Sequence, residues 1–218
     1  MIVLAIDTAN DFGSLALSCG DETLEELTLH APDGFSGILF EQIARILKNN
    51  SLTLRQVDIY AAGIGPGSFT GIRIGLSAAK AFAAAMGKPC YGISNLAAMA
   101  NLGSAPTRAA LLDARRGEIY AAGYGEHTSP EEVTPFLTWL ARIPPETQEF
   151  LAFDFGPFEA SLNTSPFAAA ARTRVPKALA ASIAALALEQ FRGGLAGDPA
   201  LLDANYVRRS DAELLWKP

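Results

Sequence analysis

The chain has 218 residues, half of them hydrophobic and 18% charged, which suits a buried core and excludes general disorder, a collagen-like repeat or a charged coiled coil. Seventeen Lys and Arg against 23 Asp and Glu leave a net charge of −6, the wrong sign for gripping a nucleic-acid backbone unaided. Cys19 and Cys90 form no Cys-x-x-Cys pair, so reduced thiols and a cytoplasmic setting are expected rather than a disulfide scaffold.

Ile2 to Ile6 is a short apolar run, Ser14 to Ser18 alternates, and Thr23 to Leu29 alternates again, with turn residues at Asn10 to Gly13 and Gly20-Asp21. This pattern predicts three strands joined by hairpins. Leu39, Ile43, Ile46 and Leu47 recur at helical spacing, which predicts an amphipathic helix over Ser36 to Asn49 with Ser36 as its cap. A strand over Ile59 to Ile64, a glycine-rich loop, a helix from Thr70 to Met86, a strand at Cys90 to Ile93 and a helix from Ser94 complete the order β-β-β-α-β-α-β-α.

Gly, Ser and Pro around Asn101 to Thr107 interrupt the pattern, and two new strands open at Ala109 to Leu112 and Ile119 to Tyr124. The domain boundary is therefore expected between residues 104 and 105, giving an α/β chain with domains 1–104 and 105–218. Beyond it, a short helix and loop over Pro130 to Pro145, a strand at Phe150 to Phe153 and an Ala/Leu helix over Lys177 to Phe191 are expected. The repeated strand-strand opening suggests a duplicated domain whose second copy is trimmed. Met1 to Leu4 carries no basic flank and Asp7 breaks the apolar run, so no export leader is read. Leu76 to Met86 and Ala178 to Leu188 fall short of the ~20 residues a bilayer requires, so no membrane contact is expected.

The densest signal is Gly65-Pro66-Gly67-Ser68-Phe69-Thr70-Gly71, between a strand and a helix. It fits neither the dinucleotide fingerprint, which needs two residues between its last glycines, nor the Walker pattern, which needs Gly-Lys-Ser/Thr. A structural strand-to-helix turn and a phosphate loop remain the two readings. In the following helix Arg73, Ser77 and Lys80 form one narrow polar stripe, and the remaining circumference is apolar. Such a surplus needs burial on a second side, either inside the protein or against another subunit, and Gly71, Gly75 and Ala79 would admit a neighbouring helix.

His30 and His127 are the only histidines and lie far apart, so no local metal pair exists, and no Gly-x-Ser-x-Gly elbow occurs. No metal site is expected. Asp7 and Thr8 end the first strand, where a carboxylate faces either a turn or a metal-nucleotide. Asp113, Arg115, Arg116 and Glu118 crowd a second tight turn, either as an exposed ion-paired hairpin or as a ligand or partner contact. The stretch Tyr206 to Arg209 reads as a solvated tail or a docking strand.

Met1 to Thr8, Gly65 to Leu76, Asp113 to Tyr120 and Tyr206 to Arg208 resemble, in order and spacing, the bacterial TsaB (YeaZ) family over almost the whole chain. The resemblance implies an actin-like fold of two ribonuclease-H-like halves. It further implies a subunit that does no chemistry itself but binds and activates the catalytic relative TsaD. With the ATPase TsaE, that complex transfers a threonylcarbamoyl group to the adenosine beside the tRNA anticodon. Partner contacts are carried over to Ile38, Leu39 and Gln42 on the first helix and to Ile72, Leu76 and Ala79 on the second. A homodimer is implied when TsaD is absent. No tightly bound cofactor is implied, ATP or ADP having a place only at a joint site with partners, and tRNA is reached indirectly. The sequence departs from the family at Phe35-Ser36-Gly37, where relatives carry His-Ser-Glu, and at Ala204, where they carry Pro. The competing reading is an independent ATP-dependent phosphotransferase of the same fold, using Asp7 and the glycine loop, or a glycoprotease-type peptidase.

Overall fold

The computed structural model describes residues 1–208; Arg209, the last residue of the Tyr206 to Arg209 stretch, lies outside them. The chain divides into two units, Met1–Asn95 with Lys177–Asn205, and Leu96–Pro176 with the segment from Tyr206 onward.

In the first unit β1 (Ile2–Asp7), β2 (Phe12–Cys19) and β3 (Glu22–His30) form an antiparallel meander, and β4 (Ile59–Gly63) and β5 (Cys90–Ile93) join in parallel to give the order β3-β2-β1-β4-β5. Every residue from Val3 to Asp7 is buried, as befits a central strand covered on both faces. Leu4, Ile6, Leu15, Leu17, Tyr60 and Ala62 share a core with α1 (Leu39–Asn49) and α2 (Phe69–Met86). α1 starts later than the sequence suggested, and Ser36 does not cap it. Phe35–Gly37 is instead a 3-10 turn with no side-chain cap, which the buried Phe35 ring enforces by seating against Gly13.

The expected boundary at 104/105 is corrected. The first unit ends at Asn95, and Lys177–Asn205 returns to it. The cause is α6 (Ala180–Arg192), which packs Ile183, Ala184 and Ala187 against β1, β2 and β4. Its orphan N-terminal amides are taken up from the sheet: the Ser14 hydroxyl oxygen accepts from Leu179 N at 3.1 Å and Ala180 N at 3.0 Å, and Glu26 Oε1 from Ala181 N at 2.8 Å. The chain after α6 stays with the same unit. Cys90 N donates to Gly197 O at 2.9 Å, Lys80 Nζ to Leu202 O at 2.5 Å, and Asn205 N to Ile64 O at 2.8 Å.

In the second unit β6 (Thr107–Arg115), β7 (Glu118–Gly125) and β8 (Glu132–Pro135) form a second meander, with β9 (Glu149–Ala152) parallel to β6 and β10 (Ala171–Arg174) parallel to β9. The order β10-β9-β6-β7-β8 repeats that of the first sheet. The two ribonuclease-H-like halves are thus present, and the trimming is visible in the crossovers. Where the first unit has helices of 11 and 18 residues, the second has α4 (Phe136–Leu140) and α5 (Glu159–Asn163), each of five. Phe136, Trp139, Phe150, Phe155, Phe158 and Phe167 supply the missing bulk. The helix expected from Ser94 is the six-residue α3 (Asn95–Ala100).

Among the described residues, no helix is long and apolar enough to cross a membrane.

Candidate functional site

The glycine-rich loop carries β4 into α2, and its geometry follows from how closely α2 meets the β1–β2 turn. A Cβ on Gly67 would lie 2.2 Å from Ala9 O, on Gly71 2.0 Å from Thr8 O, and on Gly75 2.4 Å from Thr8 Oγ1. The four-residue glycine spacing therefore admits this chain's own turn rather than a partner's helix, which corrects the expectation for Gly71 and Gly75. Thr8 Oγ1 donates to Gly71 O at 2.7 Å, and Ser68 N donates to Ala9 O at 2.6 Å. Ser68 caps α2, its hydroxyl oxygen accepting from Gly71 N at 3.3 Å, and Gly65 N donates to Asn95 Oδ1 at 2.9 Å. An anion site needs backbone amides aimed outward. The amides of Gly65, Ser68, Gly71 and Ile72 are engaged within the chain, which favours the structural reading of this loop. Pro66 is buried, whereas Phe69, Thr70 and Arg73 are exposed, with the Arg73 guanidinium 3.8 Å from the centre of the Phe69 ring.

Asp7 is fully buried. Its Oδ1 accepts from Ala9 N and from Asn95 Nδ2, both at 3.0 Å, while Oδ2 has no hydrogen-bond partner among the described residues. Burial pushes the carboxyl up from its ordinary pKa against the pull of those two hydrogen bonds, and the Glu26 charge adds to the rise. Gly63 completes the enclosure, because a Cβ there would lie 2.6 Å from Oδ1. Asp7 ties the end of β1 to the turn at Ala9 and to Asn95. No group of three or more His, Cys, Asp or Glu among the described residues is arranged to hold a metal.

The six carried-over contact residues divide in a way the sequence did not reveal. Leu39, Ile72, Leu76 and Ala79 are at most 6% exposed and sit in the chain's own interior, so they have no surface to offer a partner. This corrects their assignment. Ile38 and Gln42 are half-buried. The exposed side chains on the same helices are others: Phe40, 61% exposed, with Ala44 and Arg45 on α1, and Ser77 and Ala81 on α2. The Phe40 ring meets Phe82 edge-on at 5.9 Å, and Phe82 stacks on Tyr60 at 6.1 Å. Phe40, Ile43, Ala44, Leu47, Leu54 and Phe82 line a mostly apolar hollow of about 580 Å³ between the helices.

The β6–β7 hairpin gathers the remaining candidates. Asp113 Oδ1 accepts from Arg115 N at 2.7 Å, and the pairing shifts between Asp113 and Arg115. Arg115 and Arg116 have φ of 62° and 58°, left-handed backbone that costs a non-glycine residue roughly 1–2 kcal/mol. Arg208 braces the hairpin from the carboxy-terminal segment. Its Nη1 donates to Ala114 O at 2.9 Å, its Nη2 pairs with the Glu118 carboxylate, and its guanidinium lies 5.6 Å from the Tyr120 ring centre. In the described part of the Tyr206 to Arg209 stretch, Val207 and Arg208 form a bend rather than a strand, and the Arg208 side chain docks on its own unit.

Sequence reasoning missed Glu149, which is buried at the start of β9. It accepts from Ser104 N and Ala105 N, both at 2.8 Å, and from the Thr173 hydroxyl. Desolvation opposes its charge, yet these hydrogen bonds and the Arg108 charge outweigh it and hold the carboxyl below the usual range. Its only sequence signal is an acid opening an apolar strand.

A family model described as TsaD, tRNA N6-adenosine threonylcarbamoyltransferase, matches residues 30–187. The TsaB protein of Haemophilus influenzae is 36% identical over 145 residues, covering 64% of this chain and 60% of that protein. The match therefore spans less than two thirds of that relative's length. The TsaB protein of Bacillus subtilis is 26% identical over 99% of this chain and 98% of its own. Among solved structures, YeaZ from Pseudomonas aeruginosa superposes with a TM-score of 0.77 at 23% identity, over 94% of this chain and 99% of that one, a likeness of fold.

Proposed function

Because this chain belongs to the TsaB/YeaZ family, we propose that it takes part in tRNA threonylcarbamoyladenosine biosynthesis as an accessory subunit that binds a TsaD-type catalytic partner and activates it. The near full-length match to the Bacillus subtilis TsaB protein carries this reading. The site geometry is compatible with a role exercised by contact, since the amides of Gly65, Ser68, Gly71 and Ile72 and one oxygen of the Asp7 carboxyl are engaged inside the chain. Activation of this kind works by binding one conformation of the partner more tightly than the others. The surface offered is the outer face of α1 and α2, centred on Phe40 with half-buried Ile38 and Gln42 at its edge. In this proposal a TsaE-type ATPase joins the assembly, a second copy of the chain occupies the same face when the partner is missing, any ATP or ADP sits at a joint site, and tRNA is reached through the partners. No observation favours the phosphotransferase or peptidase alternative; Ala9, Gly63 and Asn95 wall in the carboxyl that a kinase would need open.

The test is size-exclusion chromatography of the purified chain with the TsaD-type subunit of the same organism. Co-elution at micromolar concentration is expected. Phe40→Asp is expected to weaken it by roughly thirtyfold or more, the effect of losing an aromatic anchor worth about 2 kcal/mol, while the circular dichroism spectrum stays unchanged. Two separate peaks for the wild type would refute the proposal, and undiminished co-elution of the variant would remove this face from it.

A further inference from the structure

A cavity of about 320 Å³ opens in the second unit, lined from β6, β7, α4 and the loops that follow β7 and α4. Its walls are largely apolar, with Ala109, Trp139, Ile143 and Pro144 among them, and its size suits a small organic ligand. Trp139 is only 2% exposed, yet its indole N–H has no acceptor among the described residues. A buried indole N–H ordinarily finds a partner. Nor is this nitrogen sealed away, as the orphaned Asp7 Oδ2, Asn10 Nδ2, Ser18 Oγ and Arg172 Nε are; the opening it keeps is the cavity that the ring lines.

Two more lining residues hold donors in reserve. Arg108 gives Nε to Ala100 O at 2.7 Å and Nη1 to Ala105 O at 2.9 Å, which fixes the guanidinium and leaves Nη2 without an acceptor among the described residues. Ser129 Oγ accepts from Gly123 N at 2.8 Å, and its hydroxyl proton has no acceptor there either. The charges point the same way. Glu132 and Arg142, which also line the cavity, match each other at 2.9 Å. Glu149 lies near enough to feel the Arg108 charge, but its oxygens take up Ser104 N, Ala105 N and the Thr173 hydroxyl, and it stands outside the lining.

We propose that this cavity binds a small organic oxyanion, a carboxylate or phosphate carried on an apolar body. Arg108, Trp139 and Ser129 would take its oxygens, and Trp139, Ile143 and Pro144 would face the body. Oxyanions carry several lone pairs and suit a guanidinium with N–H and O–H donors beside it, and partial burial strengthens each such bond. The site is built within residues 108–147 and does not depend on the accessory-subunit reading.

The test titrates naphthalene-2-carboxylate and 2-naphthyl phosphate into the full chain, with neutral naphthalene-2-carboxamide as control, and follows the indole N–H signals in proton–nitrogen correlation spectra. The chain has two tryptophans, so Trp216→Phe assigns the Trp139 signal. That signal is expected to move saturably with at least one anion, at a midpoint of about 1 mM or tighter, and the tighter anion identifies the head group. The amide is expected to bind about tenfold more weakly or worse. By calorimetry, Trp139→Phe, which keeps a ring and loses the N–H, and Arg108→Gln, which loses the charge, are each expected to weaken anion binding by about tenfold or more. Circular dichroism checks that both variants fold, and where Arg108→Gln does not, the comparison of anion with amide on the wild type still decides. A Trp139 signal unmoved by about 10 mM of either anion, an amide that binds as tightly as the anions, or undiminished affinity in folded Trp139→Phe would each overturn the proposal.

Discussion

A methyl group at Gly71 separates packing from ligand binding as the purpose of the glycine loop. The Gly71→Ala Cβ would lie 2.0 Å from Thr8 O, far inside the 3.4 Å at which ordinary contact begins. That oxygen belongs to the backbone and has no rotamer to escape into, so α2 must withdraw from the β1–β2 turn. Withdrawal stretches the bonds from Thr8 Oγ1 to Gly71 O, now 2.7 Å, and from Ser68 N to Ala9 O, now 2.6 Å. Overpacking costs about 1–3 kcal/mol and each weakened hydrogen bond about 1 kcal/mol, against roughly 1 kcal/mol returned by alanine's helix preference. The net loss is about 2–4 kcal/mol, which lowers the first unit's unfolding midpoint by roughly 5–15 °C. Thermal unfolding of the chain without added ligand measures this. Gly37→Ala is the control, because nothing lies within 4 Å of its added Cβ. If Gly71→Ala unfolds within about 1 °C of wild type, the packing argument fails and the loop's glycines must serve something outside the chain.

Two further outcomes follow from buried polar side chains. Ser14→Ala leaves the Leu179 and Ala180 amides without their acceptor, and a loss of about 1–3 kcal/mol in urea unfolding is expected; a loss below about 0.5 kcal/mol would mean that α6 is held by its apolar face alone. The Glu149 carboxyl titrates lower in the folded chain than its ordinary value of 4.5, so its stabilisation is complete above that value and is lost as pH falls through the depressed one. Glu149→Gln is therefore expected to lower stability at neutral pH and to flatten the acid limb of the stability curve, whereas parallel curves would remove Glu149 as its source.

Much of the first unit was legible because its segments are long enough to show a period. Leu39, Ile43, Ile46 and Leu47 mark the inner face of α1, and all four are buried. α2 defeated the same reasoning because it is apolar nearly all round. The surplus leaves burial inside the protein and burial against another subunit equally open, and it is the sheet and the 3-10 turns at Phe35–Gly37, Leu54–Gln56 and Pro199–Leu201 that pack against α2 and put Ile72, Leu76 and Ala79 inside. In the second unit, five-residue helices fall below the 11–18 residues over which a period is readable, so α5 and β10 left no signal. The return of α6 was illegible for another reason: Ser14 meets Leu179 across 165 residues of chain, and nothing local to either residue predicts it.

The packing of the glycine loop also governs the surface proposed for the partner. Gly67, Gly71 and Gly75 hold α2 against the β1–β2 turn, and Phe82 lies further along the same helix, between Tyr60 and Phe40. The exposed Phe40 ring thus rests on a side chain whose position the loop fixes. Withdrawal of α2 in Gly71→Ala would move Phe82 away from Phe40 and weaken partner binding together with stability. Phe40→Asp, on a side chain 61% exposed, would weaken binding while stability holds. A binding loss in both variants, with a stability loss only in the first, is the pattern that a surface braced by its own glycine loop requires.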